Sequence, residues 1–177
     1  MSSIHFVESE FAAAVSRGVR QCVLLGSRAR LHKQFEISPG PSLQVFIVDE
    51  KEPPQTLART LEKSHFDSRK ASLFLWLGDA GYRTVDAVIA ALAFIASLPA
   101  GTGVVFDYAV ERTSLRELTR TALDALASRV ALPGGVKYLI QPQAVAAMLR
   151  GVGFRQMQDL PHQNLPADCC HIVSALV

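Results

Sequence analysis

Short apolar runs alternate with amphipathic stretches along this chain, and few folds accept that order. Residues 21–26, 43–48, 71–77 and 104–108 are nearly continuous in apolar side chains. A strand covered on both faces needs such a run, because both of its side-chain rows meet the core. Between these runs the apolar spacing changes to that of a helix. Residues 6–17 carry Phe6, Val7, Phe11, Ala14 and Val15 before Gly18, and residues 54–63 read as a second helix. In 84–98 Val85, Val88, Ile89, Leu92 and Ile95 form one stripe, broken by Pro99 and Gly101. Residues 115–130 are helical again, as are 141–149, which Gly151 is expected to close. Two final strands are expected at 154–160 and 169–177. The order predicts a doubly wound α/β sheet, whose ligands bind beyond the carboxyl ends of its strands.

Composition narrows the function classes. A chain of 177 residues fits one domain, 1–177, with no repeat, linker or low-complexity tract. Eighteen Lys and Arg against sixteen Asp and Glu leave a net charge of +2. A phosphate-tracking protein needs far more cation, so nucleic acid is not an expected partner. The most apolar stretch, 85–98, is interrupted by Asp86 and too short to cross a bilayer. The N-terminus lacks the basic and apolar regions of a signal peptide. Three cysteines, two of them adjacent, make no disulfide framework. A reduced, cytoplasmic protein away from the membrane is expected.

Six stretches, taken in order, carry a resemblance to a family. They are 18–26 (Gly18 to Gly26), Val45-Phe46-Ile47-Val48-Asp49, and Phe74-Leu75-Trp76-Leu77-Gly78 followed by Tyr82, Thr84, Ala87 and Val88. Then come Val105-Phe106-Asp107-Tyr108, residues 122–130, and Met148-Leu149-Arg150-Gly151-Val152-Gly153-Phe154. Their succession resembles the leucine carboxyl methyltransferase-like family of bacterial S-adenosylmethionine-dependent O-methyltransferases. The resemblance spans nearly the whole chain. It implies a Rossmann-like class I methyltransferase sheet with helices on both faces, S-adenosylmethionine as cofactor, and a carboxyl or hydroxyl group of a small molecule as acceptor.

The departures are specific. The family's long N-terminal helical cover has no counterpart, because the chain begins after it. One internal strand–helix unit, with an acidic residue that helps hold the adenine, is also missing after Asp49. We take 43–49 as the family's second strand, the third being deleted; the opposite assignment fits the distance from Gly26 less well. In the loop after the first strand the family reads G-x-G-x-D-[ST], whereas this chain reads Gly26-Ser27-Arg28-Ala29-Arg30. A side chain at Arg28 would crowd the backbone approach that glycine permits. Arg30 would set a cation beside the cofactor's own positive groups. Read literally, this loop binds the cofactor poorly.

Candidate site residues follow from these positions. Gly26 makes the turn after the first strand. Asp49 ends the second, where a carboxylate can accept both ribose hydroxyls. Trp76 and Gly78 follow the third and lie over the expected cofactor pocket, although a tryptophan there is more often a core residue than a ring stacked on adenine. On the substrate side stand Asp79, Tyr82, Asp107 and Tyr108. Arg28 and Arg30 match an acidic ligand, or else are solvated surface cations. Cys169, Cys170 and His171 suggest no metal site, because adjacent strand residues point to opposite faces. No histidine has ligand spacing, and Ser27 lacks the surrounding glycines of a nucleophile elbow.

Losing the third strand leaves 43–48 at the sheet edge, apolar and free of Pro or mid-strand charge, an edge that invites pairing. A homodimer or protein partner covering that edge is therefore expected. Two functions remain: a shortened O-methyltransferase, or a catalytically inactive relative that keeps the fold as a binding or oligomerisation module.

Overall fold

The computed structural model describes residues 3–26, 43–49, 57–78, 84–109, 141–161 and 170–177. Its elements are α1 (Ser3–Ser16), β1 (Gln21–Leu25), β2 (Gln44–Val48), α2 (Leu57–Glu62) and β3 (Ser72–Trp76). They continue with α3 (Val85–Ala96), β4 (Gly103–Ala109), α4 (Pro142–Val152), β5 (Gln156–Pro161) and β6 (Cys170–Leu176). The helix expected at 115–130 lies outside the described residues.

Among the described residues six strands make one sheet in the order β2-β1-β3-β4-β6-β5. The first four are parallel, and β6 and β5 close the far side as an antiparallel pair. From β1 the chain passes to β2 on one side and returns to β3 on the other, so the order reverses between β1 and β3. That reversal is where doubly wound sheets hold their ligands. Among the described residues no strand lies beyond β2. This is, among the described residues, the doubly wound sheet that the alternation implied, of the Rossmann-like kind that the resemblance implied.

The two rows of side chains on each strand meet different helices. Val23, Leu25, Phe74, Trp76, Val104 and Phe106 belong to a cluster with Leu57, Leu61, Val88, Leu92, Ile95, Val145 and Leu149 from α2, α3 and α4. Cys22, Leu24, Leu73, Leu75 and Val105 point the other way and join Phe6, Val7 and Ala14 of α1. Each fully buried Leu or Ile in these layers contributes roughly 1.5–3 kcal/mol. A polar clamp sets the amino ends of β1 and β3. The buried Gln21 side chain donates to the Asp67 carbonyl (2.9 Å) and to Ser72 Oγ (3.1 Å), and accepts from the Asp67 N–H (2.9 Å).

Two expectations are corrected. Residues 43–48 had the apolar pattern of a strand covered on both faces, but in β2 only Val48 is buried, and Val45 and Ile47 are 36% and 39% exposed. Among the described residues β2 has one neighbouring strand, and only Val48 joins the buried cluster, with Phe46 packed against it, so covering is partial despite the pattern. The fourth helix does not stop at Gly151. It runs on to Val152 and ends at Gly153, whose φ of 120° suits glycine. There the N–H groups of Gly153 and Phe154 close onto the carbonyls of Arg150 (3.1 Å) and Leu149 (3.0 Å).

Candidate functional site

Parallel strands ending side by side bring their carboxyl-terminal residues into one row. Register pairs Leu25 with both Val48 and Trp76, and Trp76 with Phe106. One residue further on, Asp49, Gly26, Leu77 and Asp107 follow as neighbours along the same edge. Gly26 turns the chain out of β1 at φ 110°, a conformation that disfavours any side chain, and its N–H donates to the Val48 carbonyl at 3.1 Å. That bond ties the turn after β1 to the end of β2 and keeps Asp49 beside it. Asp49 is exposed, whereas Val48 just before it is buried.

Gly78, at φ 75°, makes the corresponding turn beyond β3. Its N–H donates to Asp107 Oδ1 at 2.7 Å, so a carboxylate of β4 holds the turn in place. Trp76 lies inside the cluster beneath α3, 2% exposed. Its indole therefore packs the core at the switch point, while its backbone helps form the edge. Arg28, Arg30, Asp79 and Tyr82 lie outside the described residues.

Tyr108, expected on the substrate side, is buried beside Phe106 with ring centroids 6.1 Å apart. Its hydroxyl reaches a group that sequence reasoning passed over. Tyr108 Oη donates to Asp159 Oδ2 at 2.6 Å, and Asp159 Oδ1 lies 3.1 Å from His171 Nδ1. The rings of Tyr108 and His171 stand 5.7 Å apart. Burial, then the bond to Asp159, pushes the Tyr108 phenol well above its ordinary value, so it remains protonated. Register explains the meeting: β4 pairs Tyr108 with His171, and β5 places Asp159 two positions before Pro161, the partner of His171. His171 had been weighed only as a metal ligand. The available signal was an acid and a histidine, each on a terminal strand, at positions sharing the side-chain row of Tyr108.

Other chemistry is sparse. Burial pushes the Cys22 thiol up to about 12, which leaves it an inert core residue. Among the described residues no group of His, Cys, Asp and Glu can hold a metal ion, and no helix is long and apolar enough to cross a membrane. A cleft of about 280 Å³ between α2 and the last turn of α3, lined by Ala58, Glu62, Phe66 and Phe94, lies toward the amino ends of the strands. It is remote from the row formed by Gly26 and Asp49.

The fold has many solved counterparts. A structure described as a possible exported protein from Bordetella parapertussis superposes with a TM-score of 0.59 at 17% identity, covering 95% of this chain and 66% of that one. Mitomycin 7-O-methyltransferase MmcR matches with a TM-score of 0.54 at 15% identity, over 90% of this chain and 50% of the enzyme. The S-adenosylmethionine-dependent methyltransferase SibL in its apo form matches at 0.55 and 14% identity, over 89% and 50%. This chain thus spans about half to two thirds of the length of these proteins. No family model and no curated protein matches the sequence. What the neighbours establish is a methyltransferase-type Rossmann-like fold.

Proposed function

We propose that this chain binds S-adenosylmethionine at the row of strand ends and acts as an O-methyltransferase-like protein on a carboxyl or hydroxyl group of a small molecule, in the manner of the leucine carboxyl methyltransferase-like family. One observation carries the reading. At the switch point of a sheet shaped like those of methyltransferases, the positive-φ turn at Gly26 is bonded to the end of β2, and the exposed carboxylate of Asp49 follows at once. A nucleoside fits that arrangement, with its ribose hydroxyls on Asp49 and its chain passing over the Gly26 turn. Gly78, braced by Asp107, extends the same ledge. The bound cofactor would supply an activated methyl group. The chain's own residues supply position, which accounts for much of the rate in such transfers.

Calorimetric titration with S-adenosylmethionine and S-adenosylhomocysteine tests this reading. We expect micromolar binding, about −8 kcal/mol, abolished in Asp49→Ala. Absence of heat at millimolar ligand would overturn it in favour of the second reading, a catalytically inactive binding or oligomerisation module. Arg28 and Arg30 favour that alternative, since they stand where the family has glycine and aspartate and offer guanidinium groups to an acidic ligand.

We also propose that β2 is covered by a second copy or a protein partner. Its exposed Val45 and Ile47 support this, because an apolar, charge-free edge is prone to pairing.

A further inference from the structure

We propose that His171, positioned by Asp159 and Tyr108, is the proton acceptor for a hydroxyl-bearing small molecule bound at the β4–β6–β5 end of the strand-end row. The inference rests on the methyltransferase reading for its chemistry, but its residues are distinct from those proposed to hold the cofactor.

The geometry fixes which nitrogen is available. Both oxygens of Asp159 are engaged, Oδ2 by the Tyr108 hydroxyl at 2.6 Å and Oδ1 by His171 Nδ1 at 3.1 Å. A carboxylate can only accept, so in neutral His171 the proton sits on Nδ1 and Nε2 carries the lone pair. Tyr108 is the fixed end of the chain, anchored in the core beside Phe106. The other two remain reachable: the side chains of His171 and Asp159 are 19% and 28% exposed. The result is a base, a carboxylate that orients it and a third group that orients the carboxylate, an arrangement that makes imidazole an effective base.

Placement agrees with that role. His171 is paired with Tyr108 at the carboxyl end of β4, on the same edge of the sheet as Gly26. It lies three strand positions from β1, roughly 14 Å at the usual interstrand spacing. When a hydroxyl is methylated, its oxygen lone pair forms the bond to the methyl carbon. The carbon–sulfur bond of the sulfonium donor breaks, its electron pair returning to sulfur as a neutral thioether. The hydroxyl proton must then leave. His171 Nε2 takes it, and the imidazolium so formed faces the Asp159 carboxylate.

Nitrogen NMR of histidine-labelled full-length protein provides the first test, and it needs no cofactor. We expect neutral His171 in the Nδ1–H form, with that preference lost in Asp159→Asn. The second test uses para-nitrophenol as the probe, its ionised form read by visible absorbance. The protein should bind it as the phenolate, and His171→Gln should weaken that binding roughly tenfold or more, as expected on losing a charge-assisted hydrogen bond. An Nε2–H tautomer in the unmodified protein, or equal phenolate binding by His171→Gln, would overturn the proposal. Neither readout involves Asp49 or S-adenosylhomocysteine, so failure here and failure of cofactor binding are read separately.

Discussion

β1 and β2 are hydrogen-bonded neighbours of equal length and similar apolar content, yet all of β1 is buried and β2 is buried only at Val48. The difference comes from position. β1 has strands on both sides and helices on both faces, whereas β2 borders one strand among the described residues and joins the buried core only through Val48, with Phe46 packed against it. Apolar content therefore reports what a strand can tolerate, and sheet order decides what it receives. In the proposed reading the division also serves function, because the sealed strands fix the frame on which Gly26, Asp49 and Gly78 are held at the open edge.

The sharpest way to break this contrast is to remove volume from each side. Leu75→Ala, in a site with no exposure, should cost about 2–5 kcal/mol. Ile47→Ala should cost less than about 1 kcal/mol, because a half-open site refills with water. Denaturant melts of the two variants giving equal losses would refute the account of β2 as an uncovered edge. A smaller effect is expected at the clamp below the sealed strands. Gln21→Leu strands the Asp67 N–H and carbonyl, and should cost about 1–3 kcal/mol by the same melts.

Smaller still is the change in stability from Ile47→Lys, within about 0.5 kcal/mol. Its signature is in association instead. If a second copy covers β2, a lysine there should convert dimer to monomer in a sedimentation concentration series. A protein that is monomeric at all concentrations before the change removes the self-pairing proposal. The least effect concerns acid. Hydrogen bonds from Arg69, helped by Lys70, lower the Asp67 carboxyl to about 2. A carboxyl lowered on folding adds stability above its unfolded value, near 4, that fades as pH falls toward the folded one. Asp67→Asn should flatten that part of an acid titration and change little at neutral pH.

Much of the frame was legible because local patterns and tertiary demands agree there. The runs at 21–26, 71–77 and 104–108 became buried strands, and Thr84 caps α3 by accepting from the Ala87 N–H at 3.3 Å. The end of α4 was misjudged by two residues, because either glycine could terminate the pattern and only the backbone turn at Gly153 chooses. Gly26 and Asp49 could be named from strand ends alone, as could Tyr108. Asp159 and His171 could not, since they meet Tyr108 only through antiparallel register between strands far apart in sequence. An exposed acid and an isolated histidine have no sequence signature until that register exists.

The most direct measurement is an amide NMR titration of the labelled protein with S-adenosylhomocysteine. Binding at the proposed row should move the resonances of Gly26, Asp49 and Gly78 together, saturating in the micromolar range, about −8 kcal/mol. The cleft between α2 and α3 should be unaffected. Shifts centred on that cleft, or no shifts at millimolar ligand, would contradict a methyl-donor site at the strand ends.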